Sequence, residues 1–377
     1  MMSAEMSTPA KDGELRVSTL ELFFDLVFVF TITQLTALVE HHLSLLGVVT
    51  AALVFAVMYW MYGGYAWLTN QVPPTTTSRR LLLVCGMAAF LICALAIPRA
   101  FDRTAFAFSI GYALVVLVHS GLYAQAHGST VLRFVPLNLL GAACIVAAAF
   151  VGGWRRYGLW VATVGLHYAT TRLAGRVRES RSAGYTVRAG HFVERHGLLL
   201  IVVFGESIVA IGIALTQVEL TFEVYGAAVL GLALAAALWW SYFITDPARS
   251  EKALDAAPIA ARVRLALAGY FYAYIPILFG IVVLAAGLGH AVSHIEDPLP
   301  LAQAILLGVG TALYLLGTAA FRLVFGIQPV AVRLAAVALA AVTPLAGVAL
   351  SALAQVGLLV ATVVGMLAVE SVAGAEA

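Results

Sequence analysis

The sequence predicts an all-α fold, a polytopic integral membrane helical bundle of about 12 transmembrane helices. Of its 377 residues, 62% are hydrophobic and 11% are charged, whereas about 25% of the residues in an average soluble domain are charged. The mean hydropathy is +0.99. So much apolar surface cannot be buried inside a water-soluble globule, so the composition excludes a soluble enzyme, a nucleic-acid-binding protein and a disordered chain. It requires a protein whose solvent is lipid.

Twelve apolar segments are long enough to be membrane spans, each of which needs about 20 mainly apolar residues. They are much longer than the roughly ten-residue strands of a membrane barrel. The break between the last two, near Pro344 and Gly347, is weak, so one long span with a surface segment is the alternative there. The predicted spans are 18–39, 45–68, 79–98, 104–124, 132–151, 156–175, 196–216, 222–244, 262–289, 301–322, 328–347 and 350–370.

The distribution of basic residues indicates an even number of spans. If the connections alternate between the two sides, starting from a cytoplasmic N-terminus, 17 of the 21 basic residues lie on the cytoplasmic side and four on the other. Cytoplasmic loops are enriched in Lys and Arg. The sequence therefore predicts a multi-pass protein of the plasma membrane with both termini in the cytoplasm.

A basic loop in the middle of the chain suggests two related halves. Span 6 reads GLWVATVG from Gly158 and span 12 reads GLLVATVV from Gly357, and two copies of six spans would be parallel repeats. Shared membrane composition is the alternative explanation. The predicted organisation is a cytoplasmic tail (1–17), a first six-helix half (18–175), a basic cytoplasmic linker (176–195), a second half (196–370) and a short tail (371–377).

No motif in the sequence indicates a cofactor or a metal. A phosphate-binding loop, a His-Glu-x-x-His pair and a Cys-x-x-Cys-His haem site are all missing. The net charge of +2 is too small to suggest a nucleic-acid partner. We therefore expect no cofactor, no metal and no nucleic acid, and we leave homo-oligomerisation open.

Polar residues inside the spans are the candidate functional residues, because charges at membrane depth are costly and usually face protein or water. Glu21 and Asp25 share one face of span 1, and Glu206 lies about ten residues into span 7. The predicted topology places most of the others in the cytoplasmic halves of their spans, which suggests a polar cavity open to the cytoplasm with Glu206 at its floor. The candidates for ligand binding or transport are Glu21, Asp25, Glu206, Ser207, Glu194, Arg195, His196, His167, Arg172, Tyr62, Trp240 and Tyr242.

Purely structural roles are the alternatives. Glu21 and Asp25 could pair with Arg172 or Arg195 and lock the bundle, and Glu206 could be a similar buried lock. The aromatic residues could form belts at the membrane interface. His119 and His167 could be hydrogen-bonded packing residues.

Two long motifs resemble the signatures of the bacterial low-temperature-requirement A (LtrA) family. They are STLELFFDLVFVFTITQL from Ser18 and HFVERHGLLLIVVFGESIVAIG from His191, and LWWSYF from Leu238 extends the likeness. The resemblance covers nearly the whole chain and implies a fold but no mechanism. The first span, with Arg16, Glu21 and Asp25, also resembles that of the endolysosomal potassium/proton channel family, with Phe24 where that family has a serine.

Three functions fit these observations. The first is a channel or secondary transporter for a small ion or polar solute, in which a buried acid binds a proton or an ion. The second is a membrane-embedded enzyme that acts on a lipid or isoprenoid, with Asp25 or Glu206 as the acid and Trp60, Tyr62, Trp239 and Trp240 around a cationic intermediate. The third is a structural membrane protein without a substrate. The spread of polar residues over both halves favours transport.

Overall fold

The computed structural model describes residues 17–127, 135–180, 187–216, 218, 219 and 221–375, without the side chains of 126, 127, 171–180, 260, 374 and 375. The described residues form helices and short connections, and no strand occurs among them. The helices are α1 (Thr19–His41), α2 (Leu45–Gln71), α3 (Thr77–Ala96), α4 (Ala105–His127), α5 (Val135–Ala149), α6 (Trp154–Ser180), α7 (Ala189–Leu215), α8 (Phe222–Phe243), α9 (Asp246–Ala256), α10 (Ile259–Ala266), α11 (Tyr274–Ser293), α12 (Leu301–Phe325), α13 (Ala331–Val342), α14 (Pro344–Ala349) and α15 (Ala352–Ala375).

Each of the twelve predicted spans corresponds to helical structure. Within the described part of the chain, ten helical segments are long and apolar enough to cross a membrane, among them 331–349 and 352–373, which correspond to the last two predicted spans. Helix α5 is apolar but has only 15 residues. The prediction of an all-α, multi-pass membrane protein is confirmed. The short polar helix α9 was not predicted, because its sequence DPARSEKALDA has no apolar run.

Proline and polar residues determine where several helices begin and end. Ser18 caps α1: its hydroxyl accepts from the backbone N–H of Glu21, and the Glu21 carboxylate accepts from the backbone N–H of Ser18. Pro344 begins α14 and interrupts the preceding helix, as its missing N–H requires. Pro276 lies in the first turn of α11, directly after a π-helical segment, Leu267–Ala273.

Helix α11 is the central helix of the bundle. It packs against α12, α7 and α1, and nearly all its side chains are buried. Glycines allow α11 and α12 to approach closely. A Cβ added at Gly310 would lie 2.4 Å from the backbone nitrogen of Leu284, and one added at Gly280 would lie 2.6 Å from that of Tyr314. Such small-residue contacts replace the hydrophobic driving force, which does not act between helices in lipid.

We expect Gly310→Ala to destabilise the protein strongly. The added methyl group would overlap backbone atoms, which cannot move aside as a flexible side chain can, and overpacking of this kind costs about 1–3 kcal/mol or more. Thermal unfolding of the purified protein in detergent measures the effect. Gly165→Ala is the matched variant, since a Cβ there meets nothing within 4 Å. Equal stability of the two variants would contradict close packing of α11 on α12.

Candidate functional site

The two acids predicted in span 1, Glu21 and Asp25, form a buried cluster with Arg195 at the N-terminal ends of α1 and α7. Nη1 of Arg195 donates to Glu21 Oε1 at 3.0 Å, and Nη2 donates to Asp25 Oδ1 at 3.2 Å. The Tyr62 hydroxyl donates to the same Asp25 oxygen at 2.9 Å. All four side chains are almost completely buried. We call these residues, together with His191, the Arg195 cluster.

Hydrogen bonds define the protonation of His191. The Asn70 amide is oriented by the backbone of residue 188, to which Nδ2 donates and from which Oδ1 accepts. Nδ2 also lies 3.1 Å from His191 Nδ1, which must therefore accept. His191 Nε2 then carries the hydrogen and donates to Glu21 Oε2 at 3.3 Å. With this histidine neutral, the cluster contains two carboxylates and one guanidinium.

The Arg195 cluster matches the predicted bundle lock. The spacing of Glu21 and Asp25 by one helical turn lets a single guanidinium bridge both, so their mutual repulsion is offset by a shared cation. The side chain of the other predicted partner, Arg172, is not among those that the structure describes. Two buried polar atoms of this cluster, Asp25 Oδ2 and Arg195 Nε, make no hydrogen bond to a described residue.

A second buried charge cluster lies at the corresponding end of the other half of the chain. Asp246, at the start of α9, accepts from Nε of Arg322 at 2.9 Å and from Nη1 of Arg333 at 3.2 Å. Glu370 of α15 lies 2.8 Å from each of the two arginines. We call these four residues the Asp246 cluster; its charges balance. This pairing was not predicted from the sequence, although opposite charges at the predicted cytoplasmic ends of spans 8, 10, 11 and 12 indicated it.

Glu206 belongs to neither cluster. Its Oε2 lies 2.6 Å from the Thr33 hydroxyl of α1, and its side chain is buried between α1 and α7. None of the ion pairs among the described residues includes it. Arg195 is eleven residues away on the same helix, about 16 Å by helical rise. The adjacent Ser207 hydroxyl is fully buried and makes no hydrogen bond to a described residue.

A cavity of about 140 Å³ lies at the same end of the bundle as the Arg195 cluster. Its lining is aromatic and mainly apolar, and among the described residues it includes no Asp, Glu, Lys or Arg. Glu206 does not line it, so this aromatic cavity is not the polar cavity that was expected to have Glu206 at its floor. The reason is that the charged groups at this end form closed pairs with one another. The lining residues are Trp60, Met61, Gly63, Gly64, Trp67, His119, Tyr123, Val135, Asn138, Thr170, Phe192, His196, Ala266, Leu267, Tyr270 and Phe271.

The remaining predicted site residues lie apart from one another. Glu194 is exposed and accepts from the backbone N–H of Val17 at 3.3 Å. Trp240 is 54% exposed and points away from the bundle, as a residue of an interface belt does. Tyr242 is buried, and its hydroxyl accepts from that of Tyr274. His167 pairs with the Tyr112 hydroxyl at 3.0 Å and stacks on Trp60. Among the predicted residues whose side chains the structure describes, His196 alone lines the cavity.

The helices, the buried charge clusters and the unpaired acid together define a multi-pass α-helical membrane protein with ionisable groups inside its bundle. The chain belongs to the bacterial low temperature requirement A protein (LtrA) family, whose model matches residues 16–369. The uncharacterized protein RA0937 of Rhizobium meliloti (strain 1021) is 27% identical over 290 residues, which cover 73% of this chain and 69% of that protein. The family predicted from the two long motifs is thus confirmed.

Proposed function

We propose that this protein is a channel or secondary transporter for a small cation, with the proton as the first candidate, and that Glu206 is its ion-binding acid. One observation carries the proposal: Glu206 is buried at mid-span against the Thr33 hydroxyl and has no cationic partner among the described residues. An isolated carboxylate at this depth is strongly unfavourable. A bound proton or a bound cation removes that penalty.

The geometry at Thr33 suits both states of the acid. The Thr33 hydroxyl lies 3.4 Å from the carbonyl oxygen of Val29, which can only accept. It can therefore donate to Val29 and accept from a protonated Glu206, or turn and donate to the ionised carboxylate. Carboxylate and hydroxyl oxygens are also suitable ligands for a small hard cation.

The Arg195 cluster supports this site by holding α1 against α7. Glu21, Asp25 and Thr33 are all on α1, whereas Arg195 and Glu206 are both on α7. The ion pairs at one end therefore set the axial register that places Thr33 beside Glu206 three turns away. Under this proposal Arg195 is a positioning residue.

The membrane arrangement is part of the proposal. The 17-to-4 division of basic residues supports a plasma-membrane protein with both termini in the cytoplasm. On that topology the two charge clusters and the cavity lie in the cytoplasmic half. The matching segments at Gly158 and Gly357 support two parallel six-helix halves, 18–175 and 196–370, joined by the basic linker 176–195.

No observation favours the enzyme alternative. Asp25 is bound by Arg195 and Tyr62, and Glu206 is not beside the aromatic cavity. Of the aromatic residues suggested for a cationic intermediate, only Trp60 lines that cavity. Neither proposed acid therefore lies beside the aromatic residues that would have to stabilise a cationic intermediate.

We expect Glu206→Gln to reduce cation flux to the background of empty vesicles while the protein stays folded. Glutamine can still accept from Thr33 but cannot bind or release a proton at neutral pH. The measurement is proton, potassium and sodium flux into proteoliposomes that contain a pH-sensitive or ion-sensitive dye, with thermal unfolding recorded on the same samples.

Glu223→Gln is the matched variant, because Glu223 is an exposed acid at the start of α8. Its flux should equal that of the wild type. Unchanged flux of Glu206→Gln would overturn the role of Glu206, and loss of stability instead of flux would show that Glu206 is structural.

A further inference from the structure

We propose that the aromatic cavity is a binding site for one hydroxylated aromatic ring, such as a phenol or the head group of a hydroquinone. The size of the cavity supports a single ring. Its volume of about 140 Å³ is close to that of the engineered apolar cavity of about 150 Å³ that accepts benzene. The walls include the rings of Trp60, Trp67, Phe192, Tyr270 and Phe271, which favour offset or edge-on contact with another ring.

A glycine doublet in the middle of α2 makes room for the cavity. Gly63 and Gly64 both line it. A Cβ at Gly63 would lie 2.8 Å from the Phe271 ring, and one at Gly64 would lie 3.0 Å from Nε2 of His119. Glycine in a helix costs about 1 kcal/mol relative to alanine, so two in succession indicate that the space beside them is needed.

The π-helical segment forms another wall of the cavity. Leu267, Tyr270 and Phe271 belong to it. Pro276 has no N–H to offer the carbonyl four residues earlier, so the preceding turns widen, and such π segments are frequent at functional sites. The Tyr59 hydroxyl donates to the carbonyl of Tyr270 at 3.0 Å and so stabilises the widened turn.

His196 supplies a hydrogen-bond acceptor in the cavity. Its Nδ1 lies 2.8 Å from the backbone carbonyl of Phe192, which can only accept, so Nδ1 carries the hydrogen. No described acid faces His196 from the cavity to stabilise a charged imidazole. Nε2 is then a lone-pair acceptor, and no hydrogen bond within the described structure uses it.

Asn138 supplies a donor. Its Oδ1 accepts from Nε1 of Trp60 at 3.2 Å, and the Nδ2 group, which makes no hydrogen bond to a described residue, can donate. A hydroxyl on the bound ring can donate to His196 Nε2 and accept from a second donor such as Asn138. A ligand with a full charge is disfavoured because no charged side chain of the described residues lines the cavity.

The test uses the purified full chain and three fluorinated probes observed by ¹⁹F NMR. The probes are 4-fluorophenol, 4-fluoroanisole, which lacks the hydroxyl hydrogen, and fluorobenzene, which lacks the oxygen. We expect 4-fluorophenol to bind about five- to ten-fold more tightly than the other two, the value of one hydrogen bond to a buried acceptor. Equal binding of all three probes would overturn the proposed ligand class. This comparison uses the wild-type protein and needs no variant.

Variants locate the site. His196→Phe keeps a ring among Phe192, Tyr270 and Tyr274 but removes the acceptor. The affinity of this variant for 4-fluorophenol should therefore fall to its affinity for fluorobenzene. His294→Phe, at an exposed histidine after α11, should bind like the wild type. If His196→Phe binds 4-fluorophenol normally, the site is not this cavity.

Competition identifies the source of the ring. A prenylated hydroquinone in nanodiscs that displaces 4-fluorophenol would show that the cavity takes a lipid head group. If only water-soluble phenols displace the probe, the cavity takes free phenols. If neither displaces it, the probe binding is adventitious and the proposal is wrong.

Discussion

Replacing Arg195 with methionine is expected to cost about 3–5 kcal/mol of folding free energy, the range for removal of one partner from a buried ion pair. Methionine fills much of the same volume but leaves Glu21 and Asp25 buried together without a cation. Both carboxylates are almost completely inaccessible to water. The measurement is unfolding in mixed detergent and SDS, together with the yield of folded protein.

The chain offers a matched variant and a rescue for this prediction. Arg249→Met removes an exposed arginine whose Nη1 donates to the carbonyl oxygen of Gln328 at 3.4 Å, and we expect little change in stability. Adding Glu21→Gln and Asp25→Asn to Arg195→Met should recover much of the loss, because no charge then remains uncompensated. A stable, fully folded Arg195→Met protein would show that the cluster does not lock the bundle.

Asp246→Asn is expected to have a similarly large effect, about 3–5 kcal/mol. The substitution keeps the shape of the side chain but leaves Arg322 and Arg333 with Glu370 as their sole acidic partner in the described structure. Arg333 is completely buried, so the excess positive charge cannot be solvated. Unfolding in SDS measures this loss too.

Asp255→Asn is the comparison, since Asp255 lies on the same short helix and forms a 4.0 Å pair with Arg262 at the surface. Exposed pairs of this kind contribute about 0–1 kcal/mol. If both aspartate variants lose the same stability, burial of the Asp246 cluster is not what makes it important.

These two predictions also separate structure from transport. If the charge clusters only hold the helices, their variants lose stability, and the surviving folded fraction conducts as the wild type does per molecule. Glu206→Gln should show the opposite pattern, with normal stability and no flux. The two patterns can be distinguished on one set of proteoliposomes.

The sequence predicted the helices well because lipid imposes simple rules on them. A span must be about 20 residues long and apolar, and basic residues mark the cytoplasmic ends. Helix α9 was not predicted because it is short and amphipathic, so neither the rule for apolar length nor the rule for basic residues applies to it. The π-helical segment was not predicted for another reason: a proline such as Pro276 in an apolar segment indicates a distorted helix but not the form of the distortion.

The candidate site was predictable only in part. One-turn spacing placed Glu21 and Asp25 on one helical face and left Arg172 and Arg195 as possible partners; the structure pairs both acids with Arg195. The sequence did not show which acid lacks a cationic partner, because this depends on which acid each Arg and Lys side chain contacts in the folded protein. Arg322 and Arg333 are among the 17 basic residues that the topology assigns to the cytoplasmic side, yet the tertiary structure buries both against Asp246 and Glu370. The lining of the aromatic cavity comes from six helices and the π-helical segment, which no local sequence pattern brings together.

The order of the charged residues along the chain has a consequence for biosynthesis. Glu21 and Asp25 are synthesised 174 and 170 residues before the arginine that neutralises them. The first helix therefore carries two acids without their cationic partner until the seventh helix has left the ribosome. The Asp246 cluster repeats this dependence in the second half, where Glu370 is the last of its four members to be made. Release of the helices from the insertion machinery should thus be delayed and grouped, with α1 retained until α7 arrives.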